Sequence, residues 1–65
     1  MSKKRNYIIE YKNGNKKRML ANALEVTGDF FILMVEDSGG YRENVFIGNR
    51  DSISGVIEES VLYGN

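Results

Sequence analysis

The stretch NYIIEYKNGNKKRM, Asn6 to Met19, decides how the chain begins to fold. Tyr7, Ile9 and Tyr11 alternate with Ile8, Glu10 and Lys12, the period of two that marks a half-buried strand. Asn13-Gly14-Asn15 follows, and Asn and Gly tolerate the positive φ that hairpin turns demand. Lys16-Lys17-Arg18-Met19 then leads back. A β-hairpin is expected, with a second strand that opens on three cations. Those cations either hold an anion or only surround a small fold, and the rest of the chain bears on that choice.

The same punctuation recurs outward from the hairpin. Thr27-Gly28-Asp29, Asp37-Ser38-Gly39-Gly40 and Gly48-Asn49-Arg50-Asp51 continue a series of turn signals about 10–14 residues apart. Spacing of this kind suggests a small all-β sandwich or barrel. The first strand is expected over Arg5–Lys12. In Lys16–Val26, Leu20, Leu24 and Val26 alternate with more polar neighbours, yet KKRMLANALE also has high helix propensity. A bent strand is expected because the hairpin needs it as a neighbour, with a short helix as the alternative.

Asp29–Glu36, DFFILMVE, is apolar on both faces: Phe30, Ile32 and Met34 on one, Phe31, Leu33 and Val35 on the other. Such a strand must be buried on both faces. In a chain this short one face fills the core and the other needs a wrapped neighbour or a second subunit. Phe31, Leu33 and Val35 are expected to face a protein partner. Tyr41–Ile47 places Tyr41, Val45 and Ile47 opposite Arg42, Asn44 and Phe46. The last strand is expected over Ser52–Tyr63, with Ile53, Ile57, Val61 and Tyr63 on one face and Val56 and Leu62 on the other. NRDSI, at its start, reads as a single tight helical turn.

Sixty-five residues make one domain. A basic tail over residues 1–5, a single domain over 6–63 and a C-terminal tail over 64–65 are expected. A chain of this size buries only about 60% of its unfolded surface. Disulfides, a metal or self-association usually support such folds. The sequence has no Cys and no His, which excludes disulfides, thiolate or imidazole metal sites, and imidazole acid–base catalysis. Self-association remains, so a homo-oligomer is expected. No apolar run approaches the roughly 20 residues of a membrane span. The basic start MSKKR is not followed by a signal-peptide core, because Tyr7-Ile8-Ile9 is broken by Glu10. A cytoplasmic protein with no membrane partner is expected.

Net charge is zero but unevenly placed. Seven of nine cations lie in the first 18 residues against Glu10 alone, giving +6 there and −6 in the remainder. This asymmetry suits an anionic partner or subunits meeting plus to minus. It equally suits two segments that lie side by side and neutralise each other.

Catalysis has little to work with. Ser2, Ser38, Ser52, Ser54 and Ser60 have no His to activate them. The lysines sit in solvated clusters where their pKa values stay high. Glu36-Asp37 and Glu58-Glu59 are adjacent on strands, so their side chains point to opposite faces. Asp37-Ser38-Gly39-Gly40 reads as a turn rather than a metal loop or phosphate cradle. A non-enzymatic protein without a cofactor or metal is expected. For nucleic acid, Lys16, Lys17, Arg18 and Arg50 would neutralise phosphate, and Tyr11 or Tyr41 would stack on bases. Arg42 beside Tyr41 and Phe46 forms a second platform. In the competing reading Tyr7 and Tyr11 lie in the core beside Ile9 with the cations solvated.

Five short strands, a tight helical turn before the last, and a Gly in the first turn resemble an SH3-like barrel. Within that group, EYKNGNKKRMLANALEV and GDFFILMVED resemble the two halves of the Sm1 motif of the Sm/LSm family. YRENVFIGNRDSISGVIEE resembles Sm2, and the likeness spans about Tyr7–Glu59. The resemblance implies a five-stranded antiparallel barrel closed by its last strand against its first, ring assembly through strand edges, and binding of RNA, DNA or a nucleotide. The family's bend-permitting glycine is Ala21 or Ala23 here, and its Asp-x-x-Met-Asn signature is absent. In style the chain also resembles the small accessory proteins that phages encode to block a host protein or sequester a nucleotide signal.

Overall fold

A computed structural model of the chain describes residues 3–63. The chain forms β1 (Arg5–Tyr11), β2 (Lys16–Ala21), β3 (Ala23–Val26), β4 (Phe30–Glu36), β5 (Arg42–Asn49), β6 (Ile53–Glu58) and a short α1 (Glu59–Tyr63). The strands make two antiparallel three-stranded sheets, ordered β2-β1-β6 and β3-β4-β5. The small, nearly all-β architecture is as expected, and β6 pairs with β1. The five-stranded closed barrel is not what forms: there are six strands in two sheets.

The difference originates at Asn22. The Lys16–Val26 segment is a bent strand rather than a helix, and it breaks into β2 and β3 at this residue. The Asn22 carboxamide acts as a substitute peptide group. Its Nδ2 donates to the Glu36 carbonyl (2.8 Å), its Oδ1 accepts from the Glu36 amide (2.8 Å), and its own backbone amide donates to the Met34 carbonyl (3.0 Å). The ladder to β4 is thereby maintained while the chain turns away to pair with β1. A glycine is not needed, because the side chain satisfies the groups that the bend would orphan.

The first hairpin forms with continuous register from Arg5 opposite Ala21 to Glu10 opposite Lys16. Its turn is one residue longer than the two-residue loop that Asn-Gly alone suggests. The Gly14 amide donates to the Tyr11 carbonyl (2.9 Å), the Tyr11 amide donates to the Asn15 carbonyl (2.8 Å), and Gly14 has φ 94°. This is a three-residue loop closed by a left-handed glycine. The NRDSI turn has the expected helical character, with Ser52 and Ile53 amides donating to the Asn49 and Arg50 carbonyls (3.0 and 3.4 Å). Arg5 belongs to β1 rather than to a tail, and Met1, Ser2, Gly64 and Asn65 lie outside the described residues.

The core sits between the sheets. Ile9, Ala21, Leu33 and Ile53 are buried, with Tyr7, Tyr11, Met19, Phe31, Val45, Phe46 and Val56 packed around them. Ile9 and Leu33 are the largest fully buried side chains, each worth about 1.5–3 kcal/mol of burial. A core this small gives the chain a physical reason to self-associate.

Three face assignments change. In β4, Leu33 is 0% exposed and Phe31 packs on the core, whereas Phe30 is 41% exposed. The Phe31, Leu33 and Val35 face is therefore the inner one. In β5, a register shift between Leu33 and Met34 lets Val45 and Phe46 both pack inward and leaves Ile47 54% exposed. In β6, a shift between Glu10 and Tyr11 separates buried Ile53 from Ile57, which is 43% exposed. The last strand also stops at Glu58 instead of continuing to Tyr63. There Ser60 Oγ donates to the Glu58 carboxylate, and Glu59 is drawn to Arg18 of β2 (2.6 Å), off the line of β6. The side chains of Leu62 and Tyr63 lie outside the described residues.

Candidate binding surfaces

The cations of the first hairpin divide into two sets. Arg5 pairs with Glu58 (3.1 Å) and Arg18 with Glu59 (2.6 Å), so the basic hairpin is partly neutralised by the acids that end β6. Among the described residues, Lys12, Lys16 and Lys17 make no ion pair within 4.0 Å. Lys16 lies directly opposite Glu10 in the ladder without closing on it. Lys17 instead sits over the Phe46 ring, its Nζ 5.8 Å from the centroid. Cation–ring contacts of this span hold a charge in place without neutralising it.

Three turns meet at the end of the molecule where these lysines lie. The Lys12 amide donates to the Ser52 carbonyl (3.0 Å), tying the first turn to the last. The Arg50 amide donates to the Asp29 carbonyl (2.9 Å), and Arg50 Nη1 donates to the Thr27 carbonyl (2.8 Å). The Arg50 guanidinium also lies 5.7 Å from the Phe31 ring centroid. Arg50 is thus a staple between turns as well as an exposed cation. A guanidinium carries five N–H donors, so most of its capacity remains available to an anion. The Thr27 hydroxyl accepts from the Asp29 and Phe30 amides (3.2 and 2.9 Å), which fixes the middle turn.

Of the expected stacking residues Tyr11 is at this end, where its amide donates to the Asn15 carbonyl (2.8 Å), and Tyr41 is not. Tyr11 is half-buried against the core, as is Tyr7. Tyr41 is 67% exposed, but it follows the turn beyond Glu36, at the far end of β4 from Asp29. Seven residues of strand separate the two ends, about 20 Å. Arg42 beside Tyr41 is paired with Glu36 (3.4 Å). Lys12, Lys16, Lys17 and Arg50 thus lie at the end where the turns converge, but Lys16 is on the outer face of β2 beside the groove and Lys17 on the inner face over Phe46; Arg18 is in an ion pair, and Tyr41 and Arg42 lie at the other end. The Asp37 turn is a turn: its carboxylate accepts from the Gly39 and Tyr41 amides (2.9 and 3.0 Å).

Of the residues expected to face a partner, Leu33 is fully buried in the core, Phe31 packs against it, and Val35 is half-buried. On the other face Phe30 and Ile47 are exposed, Ile32, directly opposite Ile47, is half-buried, and Met34 is buried. Sequence reasoning also passed over two features of β6. One is a groove of about 230 Å³ lined by Ile8, Glu10, Lys16, Gly55, Val56 and Ile57. The other is an open cleft of about 520 Å³ beside Arg5, Asn6, Glu58, Glu59 and Ser60. In that cleft, hydrogen bonds from Ser60 and then Arg5 hold the Glu58 carboxyl below the usual carboxylate range.

Among the described residues no three acidic side chains gather as a metal-binding group, and no helix is long and apolar enough to cross a membrane. No family model matches the chain, and no curated protein or solved structure matches it significantly.

Proposed function

We propose that this chain is a non-enzymatic binding module that works as a homo-oligomer and holds an anionic ligand, a nucleic acid or nucleotide, at the end where its three turns meet. The observation that carries the reading is the division among the cations. Arg5, Arg18 and Arg42 are neutralised by Glu58, Glu59 and Glu36, while Lys12, Lys16, Lys17 and Arg50 remain open to phosphate around the converging turns. Lys17 and Arg50 are held over aromatic rings, so less side-chain freedom is lost on binding. The strand order supports relating the fold to SH3-like and Sm-like barrels: β6-β1-β2 runs through Asn22 into β3-β4-β5.

The test is fluorescence anisotropy with a labelled single-stranded RNA oligomer across a salt series. Three or four phosphate contacts give a log–log slope of about −2 to −3. Lys16→Glu with Lys17→Glu reduces both the affinity and the slope. Salt-independent binding, or no binding at low salt, contradicts the reading.

A second reading has its own observation. Phe30 and Ile47, with half-buried Ile32 opposite Ile47, form an outward apolar patch on β4 and β5. Such a patch suits an accessory protein that occupies the surface of a host protein. Ile47→Lys abolishes capture of that partner while leaving RNA affinity unchanged if this reading holds.

A further inference from the structure

The four outer edges of the two sheets differ in how they are guarded. β2 opens with Lys16-Lys17-Arg18, β3 has only four residues, and β5 carries a register shift beside its opening Arg42-Glu43. Short edges, charges and bulges all discourage pairing with another strand. β6, Ile-Ser-Gly-Val-Ile-Glu, has no cation and lies at the end of the order β2-β1-β6; its own register shift falls at its start, between Ile53 and Gly55, and leaves Gly55–Glu58 in regular register. Its free side presents a row of backbone donors and acceptors to which a further extended strand can pair.

The outer face of the same strand carries a notch and a knob. Gly55 and Ile57 lie opposite Glu10 and Ile8 and share that face. A Cβ built on Gly55 meets nothing within 4 Å, so the place of its missing side chain is open space in the groove. Two residues on, Ile57 stands 43% exposed.

We infer that β6 pairs antiparallel with β6 of a second copy about a two-fold axis at Val56, each Ile57 seating over the partner's Gly55. The register follows from self-complementarity: an axis at residue 56 sets 55 opposite 57 and 57 opposite 55. It also sets Glu58 opposite the partner's Ser54, so no like charges meet across the seam. The two sheets then join as a continuous six-stranded sheet, and the interface is isologous, the commonest form of oligomer. The inference rests on the self-association proposed above and names its surface.

The experiment is sedimentation equilibrium on four proteins: wild type, Gly55→Val, Ile57→Gly, and the double variant Gly55→Ile with Ile57→Gly. Far-UV circular dichroism and melting report whether each protomer is folded. The wild type dimerises, and each single variant weakens the dimer at least about tenfold. The double variant recovers it, because knob and notch exchange places. Gly55→Val keeps the test sound, since its new side chain enters open space in the protomer. A wild type that stays monomeric at all concentrations overturns both the pairing and the self-association reading. An oligomer indifferent to Gly55→Val overturns the pairing alone, as does a folded double variant that fails to recover.

Discussion

The sheet β2-β1-β6 and the sheet β3-β4-β5 each have three antiparallel strands, but they settle their two faces by different means. In β1 and β2 polar residues mark the outer face, Glu10 in one and Lys16 and Arg18 in the other, so Tyr7, Ile9, Met19 and Ala21 turn inward, although Ile8 and Leu20 share the outer face. In β4 both faces are apolar, and nothing local chooses between them. The choice falls to tertiary packing, through the register shift that brings Val45 and Phe46 inward together. Alternation of polarity fixes orientation cheaply and early. Where it is missing, the same strand length gives an inner face that can be known only from its partners, and an outer face that stays apolar.

The sharpest way to break this comparison is to truncate one residue from each face of the second sheet. Leu33→Ala costs about 2–5 kcal/mol, as for a fully buried Leu, and Ile47→Ala stays within about 0.5 kcal/mol. Urea melts of both variants decide it, and equal costs would mean that the faces are wrongly assigned.

Two glycines give the next contrast. A Cβ on Gly48 would meet the Phe46 ring at 2.6 and 2.7 Å and also collide with Ile53, whereas one on Gly55 meets nothing. Gly48→Ala therefore destabilises by about 1–3 kcal/mol through overpacking. Gly55→Ala stabilises the protomer by about 0.5–1 kcal/mol, because an interior strand glycine is costly. Thermal melts at a concentration that keeps the protein monomeric separate the two.

The bend between the sheets is tested at Asn22. Asn22→Ala leaves the Glu36 amide and carbonyl without side-chain partners and costs about 1–3 kcal/mol. Amide hydrogen exchange at Glu36 rises in the variant, while exchange at Ile9 follows only the global loss. An unchanged rate at Glu36 would remove Asn22 from its role.

The smallest effect lies at Glu58. Its folded pKa is lowered by Ser60 first and then Arg5, so its contribution is complete above the unfolded Glu pKa, about 4.3, and is lost as pH falls through the folded value. Ser60→Ala brings that loss to a higher pH. Acid titration followed by circular dichroism shows the shift, and superimposable curves would argue against the coupling.

Much of this was readable from residues alone. The period of two in Tyr7-Ile8-Ile9-Glu10-Tyr11 placed β1 and its inner face, and Asn13-Gly14, Thr27-Gly28 and Asp37-Ser38-Gly39-Gly40 placed three turns. Asn22 was not readable, because its bonds reach Glu36, 14 residues away. The shifts beside Val45 and Ile53 were hidden because a bulge exists only relative to a partner strand. Of the site, Lys16, Lys17 and Arg50 were named from charge alone. The ion pair that occupies Arg18 and the burial of Tyr11 depended on which segments pack together. The open edge of β6 was missed because an absent side chain at Gly55 leaves no chemical signal in the sequence.

Native mass spectrometry of the protein purified at low salt addresses the central claim most directly, since it reads assembly and bound anion in one spectrum. The account predicts a dimer carrying extra mass that matches nucleotides or short RNA, with that mass lost at high salt. A bare monomer at every concentration and salt would contradict it.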